Sequence, residues 1–455
     1  MWDADVDLRL LKVLPGHNII RFINHFFKFN GVTQILVGGQ ADSLNTTNGT
    51  VEYNSLYGGY TWIATEQGRQ GVVTAPGVLS RLFIRLSGSP GTGYSYRFRV
   101  RVNGAYPTDT LDVTISGTST QGSDLVHSVT VAKGDKVCLE CLTSGTPTAR
   151  AASWNTTFTP TNPNECLLLA GIEDALNNTA TEYNACVGSG RTWLSTENLS
   201  YVVVPTSGTI KRLYVSLTGA PGTGAGNAYR FTLRKGSPTP LSDTSLTVTI
   251  TQPDTSGNDE VNEVSVSPGD LITIKCEPLN SPNATPAANW GFTFVPSTAG
   301  EFPIMGGTYD DPAAGTTEYI DPATNFSIWG TETNRWDLIE NCVLKKLYVY
   351  VVTAISAGSY TFNVRINLAN TGITCTISSG NTGNDTVNVY TVTASYSRLT
   401  LSYTSTSDAT ISDIKWGFVG YIAPAVPAVE RPRRIINGRP YKASRIVRTM
   451  LQRGS

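Results

Sequence analysis

The strongest constraint on this chain is that it repeats itself. Arg81-Leu82-Phe83-Ile84-Arg85-Leu86-Ser87-Gly88-Ser89-Pro90-Gly91-Thr92-Gly93 returns 131 residues later as Arg212-Leu213-Tyr214-Val215-Ser216-Leu217-Thr218-Gly219-Ala220-Pro221-Gly222-Thr223-Gly224, and a weaker third copy reads Lys346-Leu347-Tyr348-Val349-Tyr350-Val351. Other landmarks keep their order around it. Upstream of each copy a Glu-Tyr pair precedes a Trp: Glu52-Tyr53 with Trp62, Glu182-Tyr183 with Trp193, Glu318-Tyr319 with Trp329. Downstream come Tyr96-Arg97-Phe98, Tyr229-Arg230-Phe231 and Tyr360-Thr361-Phe362. Gly134-Asp135 and Gly269-Asp270 then open strands that end at Cys141 and Cys276, where the third copy has Ala394-Ser395 in place of Gly-Asp. Each copy closes on an aromatic strand, Trp154 to Phe158, Trp290 to Phe294 and Trp416 to Phe418. A chain that writes one plan three times is expected to fold as three like units.

Within a copy the pattern has period two. Leu213-Tyr214-Val215-Ser216-Leu217 and Leu246-Thr247-Val248-Thr249-Ile250 alternate as strands do when one face meets a core. Turn residues recur every 8 to 12 positions, which predicts about eight short strands per copy. No helical period fills the gaps, so the crossovers of a parallel sheet are missing. Charged residues are only 15% of the chain, against a usual ~25%, which excludes a coiled coil or a charged disordered chain. The expected fold is all-β: three tandem antiparallel β-sandwich modules, jelly-roll-like or immunoglobulin-like. The expected boundaries are an N-terminal arm at 1–35, modules at 36–162, 163–298 and 299–424, and a C-terminal tail at 425–455. Each module is long enough to bury its own core, so the modules are expected to sit like beads.

Sites of chemistry are few. His17, His25 and His127 are the only histidines, which leaves little material for triads, proton shuttles or metal clusters. Seven cysteines make no disulfide framework, and Cys138-Leu139-Glu140-Cys141 lacks both a second pair and a redox context. Positions i and i+3 of a strand face opposite ways, so these two are expected to be buried strand cysteines. Asp42 with Glu52, Glu173-Asp174 with Glu182, Asp310-Asp311 with Glu318, and the run Asp254 to Glu260 gather acids in loops. A bound Ca²⁺ is the one cofactor such loops could hold, though scattered loop acids are more often solvated, and no cofactor is expected. Trp62, Trp193 and Trp329 have two readings: a platform for stacking sugar rings, or a core filler repeated once per sandwich. No catalytic residue is identified, and the chain is not expected to be an enzyme.

Net charge is −1, but it is unevenly spread. Between Glu430 and Ser455 eight basic residues stand against one acid, a net of +7. Arg433 and Arg434 lead into Ser444-Arg445-Ile446-Val447-Arg448-Thr449-Met450-Leu451, where Ile446, Val447, Met450 and Leu451 fall on one helical face beside Arg445 and Arg448. These eight residues, the last six with Arg433 and Arg434, suit a protein groove better than nucleic acid. Met1-Trp2-Asp3-Ala4-Asp5-Val6-Asp7 is acidic where a secretory signal would be basic, and no run of about 18 apolar residues occurs, so neither secretion nor a membrane span is expected.

The module text (a Leu-Tyr-Val strand, Ala-Pro-Gly-Thr-Gly turn, Tyr-Arg-Phe-Thr strand, Ser-Pro-Gly-Asp and a closing Trp-x-x-x-Phe strand) resembles the jelly-roll-like modules of tailed-bacteriophage head fibres, decoration proteins and tail proteins, over residues 36–424. The resemblance implies a virion structural protein assembled in the host cytoplasm, where unpaired cysteines stay reduced. Its implied partners are other virion proteins, further copies in a homo-oligomer such as a trimer, and a host-surface glycan. The alternative is a bacterial cell-surface adhesin or glycan-binding protein.

Overall fold

The computed structural model describes residues 34–189, 192–237, 240–325, 328–407, 413–423, 435–436 and 439–440. Period two becomes strand wherever it occurs. The first unit runs β1 (Gln34–Gln40), β2 (Val51–Asn54), β3 (Gly71–Val72), β4 (Gly77–Leu86), β5 (Gly91–Val102), β6 (Asp112–Gly117), β7 (Gln121–Val131), β8 (Lys136–Ser144) and β9 (Ala152–Pro160). The second runs β10 (Cys166–Ala175), β11 (Glu182–Asn184), β12 (Gly188–Ser189), β13 (Val202–Val203), β14 (Gly208–Leu217), β15 (Ala228–Gly236), β16 (Ser242–Thr251), β17 (Ser256–Val266), β18 (Leu271–Leu279) and β19 (Ala287–Pro296). The third runs β20 (Glu301–Gly307), β21 (Thr317–Ile320), β22 (Asp337–Ile339), β23 (Cys342–Ile355), β24 (Tyr360–Ile366), β25 (Ala369–Ile377), β26 (Gly380–Val392), β27 (Ser397–Ser405) and β28 (Ile414–Tyr421).

Each unit is a sandwich of two sheets, antiparallel except for the short β10–β12 pairing. In the first unit the orders are β1-β9-β4-β7 and β2-β8-β5-β6, with β3 added beside β8. Counting only the eight long strands, these are 1-8-3-6 and 2-7-4-5. The other units repeat both orders: β10-β19-β14-β17 with β11-β18-β15-β16, and β20-β28-β23-β26 with β21-β27-β24-β25. Eight strands paired this way form a jelly roll, which decides between the two topologies left open by the sequence.

The bead arrangement is not what forms. β1 and β20 are buried at every position, and so are the first seven residues of β10, so these strands lose both faces to protein. One continuous apolar cluster takes residues from all three units, from Ile35 through Ile210 to Phe418. The cause lies in the long segment that crosses from the second to the third long strand of each unit. In the first unit it carries a 3-10 turn at Glu66–Arg69 and then β3, and it lies on β10 and β19 of the second. The second unit's segment, with its turn at Glu197–Ser200 and β13, lies on β20 and β28 of the third. The third unit's segment, with its turn at Glu332–Asn334 and β22, lies on β1 and β9 of the first. One, two, three and back to one: the three jelly rolls close a ring through three like seams, a head-to-tail contact whose rotation closes.

In the third unit the pair that takes the place of Gly-Asp is Tyr396-Ser397, two residues beyond Ala394-Ser395. Gly134 and Gly269 have φ of 86° and 88°, and the residue in their place is Tyr396, at φ 63°. In residues 424–455 the described structure is the antiparallel pair β29 (Ile435–Ile436) and β30 (Arg439–Pro440).

Candidate interaction surfaces

The seams are built from matching positions. The residue before each closing core tryptophan donates a hydrogen bond to a carbonyl of the incoming segment. Ser153 Oγ reaches Trp336 O at 2.7 Å, Asn289 Nδ2 reaches Gln67 O at 2.9 Å and Lys415 Nζ reaches Leu199 O at 2.7 Å. Complete burial pulls the Lys415 ammonium down to about 8, against the attraction of Asp413. Glycines let the backbones approach. A Cβ on Gly39, Gly171, Gly291 or Gly417 would stand 2.0–2.3 Å from a carbonyl oxygen of the incoming segment: Trp336, Gln70, Val72 and Val203 respectively. Behind each seam a strand bulges at a cation held at positive φ: Arg81 (58°), Arg212 (57°) and Lys346 (56°). Each cation meets a buried glutamate. Arg212 meets Glu165 at 2.7 Å and Lys346 meets Glu301 at 2.7 Å, where the acid precedes or opens the unit's first strand. Arg81 meets Glu340 at 2.5 Å, an acid supplied by the third unit's segment.

The seams differ in filling. Gln70, Tyr201 and Trp336 hold the same position after the 3-10 turn. At the second seam Tyr201, Val203, Leu241 and Leu271 pack on Tyr350. At the third, Phe83, Trp336 and Leu338 form a cluster with Tyr396 against it, and the guanidinium groups of Arg85 and Arg398 lie 5.7 and 5.8 Å from the Trp336 ring. The third seam is also the one that joins the last unit of the ring to the first.

Trp62, Trp193 and Trp329 are each 5% exposed and pack against Trp154, Trp290 and Trp416, at centroid distances of 5.5, 5.2 and 6.1 Å. All three side chains are buried within their own sandwiches in this structure. Arg433, Arg434, Arg445, Ile446, Val447, Arg448, Met450 and Leu451 lie outside the described residues. Cys138 and Cys141 are buried, and burial pushes both thiols well above their ordinary range, with nearby glutamates adding to it. Their strand pairs across β8 with β5 in regular register. His127 is bonded through Nδ1 to Asp124 at 2.8 Å and is half exposed.

Five of the loop acids accept from their own backbone, while Glu173 pairs with Arg69 and Glu260 with Lys133. Glu52, Glu182 and Glu318 accept the N–H of Asn45, Asn177 and Ala313 at 2.6–2.8 Å, and Asp174 and Asp310 accept the N–H of Trp193 and Trp329 at 2.9 Å. That explains why the Glu recurs. Among the described residues no three His, Cys, Asp or Glu side chains gather as metal ligands do.

Sequence reasoning missed a further recurring device. Asp124-Leu125-Val126-His127, Asp259-Glu260-Val261-Asn262 and Asp385-Thr386-Val387-Asn388 share the signal Asp-x-Val-(His/Asn). Each Asp accepts N–H groups from the two positions after its neighbour and from the adjoining strand, as Asp259 does from Val261, Asn262 and Thr247 at 3.0–3.1 Å. Burial alone would raise these carboxyls, but the backbone and side-chain donors hold all three below their ordinary value. The staple bulges the edge strands β7, β17 and β26, and a bulged edge resists pairing with another chain. Val126, Val261 and Val387 stand at the bulge tips, 84–87% exposed.

Two clefts open beside the seams. One of about 250 Å³ lies between the second and third units and is lined by Pro268, Tyr348, Tyr350 and Asn384 among others. The other, about 320 Å³, lies on the first unit beside Glu66, Gln70, Asn103 and Lys136. No family model matches the chain, and no curated protein matches it.

Proposed function

We propose that the protein is a structural component of a bacteriophage particle: a surface projection, decoration or tail element, not an enzyme, attached to other virion proteins through its terminal segments. The observation that carries this reading is the closed ring of three jelly rolls. The chain spends the geometry that its three copies share on seams, on Asp staples and on bulged sheet edges, which build one closed body of packed sandwiches. Jelly rolls serve particle shells and lectins alike, so the fold by itself leaves the role open. A threefold arrangement of modules is met here within one chain, and any homo-oligomer would be built from whole rings.

Mass spectrometry of purified particles tests the reading, with the chain expected at stoichiometric abundance. Particles that lack it would overturn the proposal. The cleft at Tyr348, Tyr350 and Asn384 supports a second role in host-glycan contact, since aromatic and amide side chains together suit sugar rings. Binding to a glycan array by the parent chain, lost in Tyr348→Ala, is the expected result for that role.

A further inference from the structure

The three units share one plan, and the first departs from it where a buried side chain is left unsatisfied. Val72, Val203 and Leu338 take the same ladder step, facing Lys136, Leu271 and Arg398 respectively. Two positions before each stands Gln70, Tyr201 or Trp336. In the second unit Tyr201 packs with Leu241 and Leu271 in one apolar cluster. In the third the Arg398 guanidinium lies 5.8 Å from the Trp336 ring. An aromatic ring thus meets the facing residue in both. In the first unit the pair is Gln70 with Lys136, and in place of a packed ring there is a cleft of about 320 Å³, lined by these two with Thr65, Glu66, Asn103 and Gly104 among others.

Most of the lining is already committed. Glu66 is held by Arg101 at 2.9 Å and accepts from Gln70 Nε2 at 3.3 Å. Asn103 uses both ends of its amide on the neighbouring turn, Oδ1 accepting the Lys136 N–H at 2.9 Å and Nδ2 donating to Asp135 at 2.7 Å. Two groups are left over. Gln70 is 3% exposed and its Oε1 has no hydrogen-bond partner, a costly state for a buried acceptor. Lys136 is half-buried, and among the described residues its ammonium has no carboxylate partner. Half-buried, that charge is screened by salt less than a surface lysine's. An acceptor without a donor and a cation without an anion, in one cleft, call for a ligand that carries both a hydroxyl and a carboxylate. We infer that this cleft binds a hydroxylated carboxylate of monosaccharide size, either a free sugar acid or the acidic sugar of a polysaccharide. Its carboxylate pairs with Lys136 Nζ, and a ring hydroxyl donates to Gln70 Oε1. The size agrees, since ligand pockets begin at about 300 Å³ and this one therefore suits a single ring. The inference stands on the first unit alone and needs neither the virion reading nor the cleft at the second seam.

Saturation-transfer NMR titrations on the full chain, with glucuronate as the probe, test it. Glucuronate is expected to bind. Glucose, which lacks the carboxylate, and propionate, which lacks the hydroxyls, are each expected to bind about tenfold more weakly or less. Lys136→Met removes the charge, and Gln70→Tyr puts the second unit's ring into the cleft. Each is expected to weaken glucuronate binding by about tenfold or more. Gln70→Tyr is also expected to hold or raise the melting temperature, because the ring fills space and removes the unpaired acceptor. Should that variant melt lower, Lys136→Met, at a half-buried side chain, decides alone. Polyglucuronate as competitor separates the two sources: displacement of the monosaccharide marks a polysaccharide site, and glucuronate bound undisturbed marks a site for the free acid. No binding of glucuronate by the parent chain overturns the proposal, as does glucose or propionate binding equally well, or parent affinity in Lys136→Met. Loss of binding in Tyr348→Ala would put the probe in the second-seam cleft and overturn this assignment, while retention there supports it. Neither result bears on whether the chain belongs to a particle.

Discussion

Replacing Gly291 by alanine should unseat the first seam. A Cβ there lies 2.0 Å from Val72 O, 3.1 Å from its carbonyl carbon and 3.2 Å from Thr74 Cγ2. An ordinary C···O contact is about 3.3 Å or more, so the incoming segment must withdraw by more than about 1 Å. Backbone, not a flexible side-chain tip, is in the way. Two hydrogen bonds cross at this place, Thr293 Oγ1 to Thr74 Oγ1 at 2.8 Å and Asn289 Nδ2 to Gln67 O at 2.9 Å, each worth about 1 kcal/mol. Val72 is 2% exposed, and a gap of that size forfeits about a quarter to a half of its contact attraction. Together these give a loss of about 3 kcal/mol, at the upper end of the usual ~1–3 kcal/mol for overpacking. Urea denaturation measures the loss, and hydrogen exchange at Val72 to Thr74 locates it. The first unit supplies a control at the matching position: Asn155 is fully buried and neither polar atom of its amide has a partner, so Asn155→Ala should cost less than about 1 kcal/mol. If Gly291→Ala stays within about 0.5 kcal/mol of the parent, the close approach is not what holds the seam, and the argument fails.

The third seam should depend on Trp336 far more than the first depends on Gln70: Trp336→Ala is expected to cost about 3–5 kcal/mol and Gln70→Ala less than about 1 kcal/mol, and equal losses by denaturation would refute the ranking. Asp337 is fully buried, and burial, then the neighbouring Asp321, push its carboxyl well above the usual range. The folded state therefore keeps a proton that the unfolded chain releases near pH 4, so this group's contribution falls as pH rises from about 4 toward the folded value. Asp337→Asn should be more stable than the parent at pH 7, by about 1–3 kcal/mol, with the advantage shrinking toward pH 4. A difference in melting temperature that is flat or negative across pH 4–8 would contradict it. The staple acids run the other way: their folded-state values are depressed, so their stabilisation is present above about pH 4 and is lost as pH falls through the folded values. Asp259→Ala should cost about 2 kcal/mol at pH 7 and less at acid pH, which denaturation at the two pH values checks.

The modules and their strands were legible in the sequence because an apolar residue at every second position and a Pro-Gly or Asn-Gly turn act locally, within one strand or hairpin. The ring was less so. Its seams join residues over 180 positions apart, such as Ser153 and Trp336, and the glycines that admit them read in sequence as ordinary strand breakers. A signal was present all the same: Cys166-Leu167-Leu168-Leu169-Ala170-Gly171-Ile172 and Ile35-Leu36-Val37-Gly38-Gly39 do not alternate, as befits strands buried on both faces. Trp62, Trp193 and Trp329 could be read either way because one aromatic per module serves a core and a binding face equally well until burial is known. The Asp staple needed three copies laid side by side, and Val126, Val261 and Val387 look like core residues until the bulge turns them outward.

Gln70, Tyr201 and Trp336 occupy one place in three seams and differ in size, shape and polarity. Three identical chains could never differ there, since one substitution would alter every seam at once. Joined in a single polypeptide, the sides of the ring are free to drift apart, and the object acquires a front, a left and a right. A ligand can therefore recognise one flank out of three, and binding there would single out one rotation of the ring about its own axis.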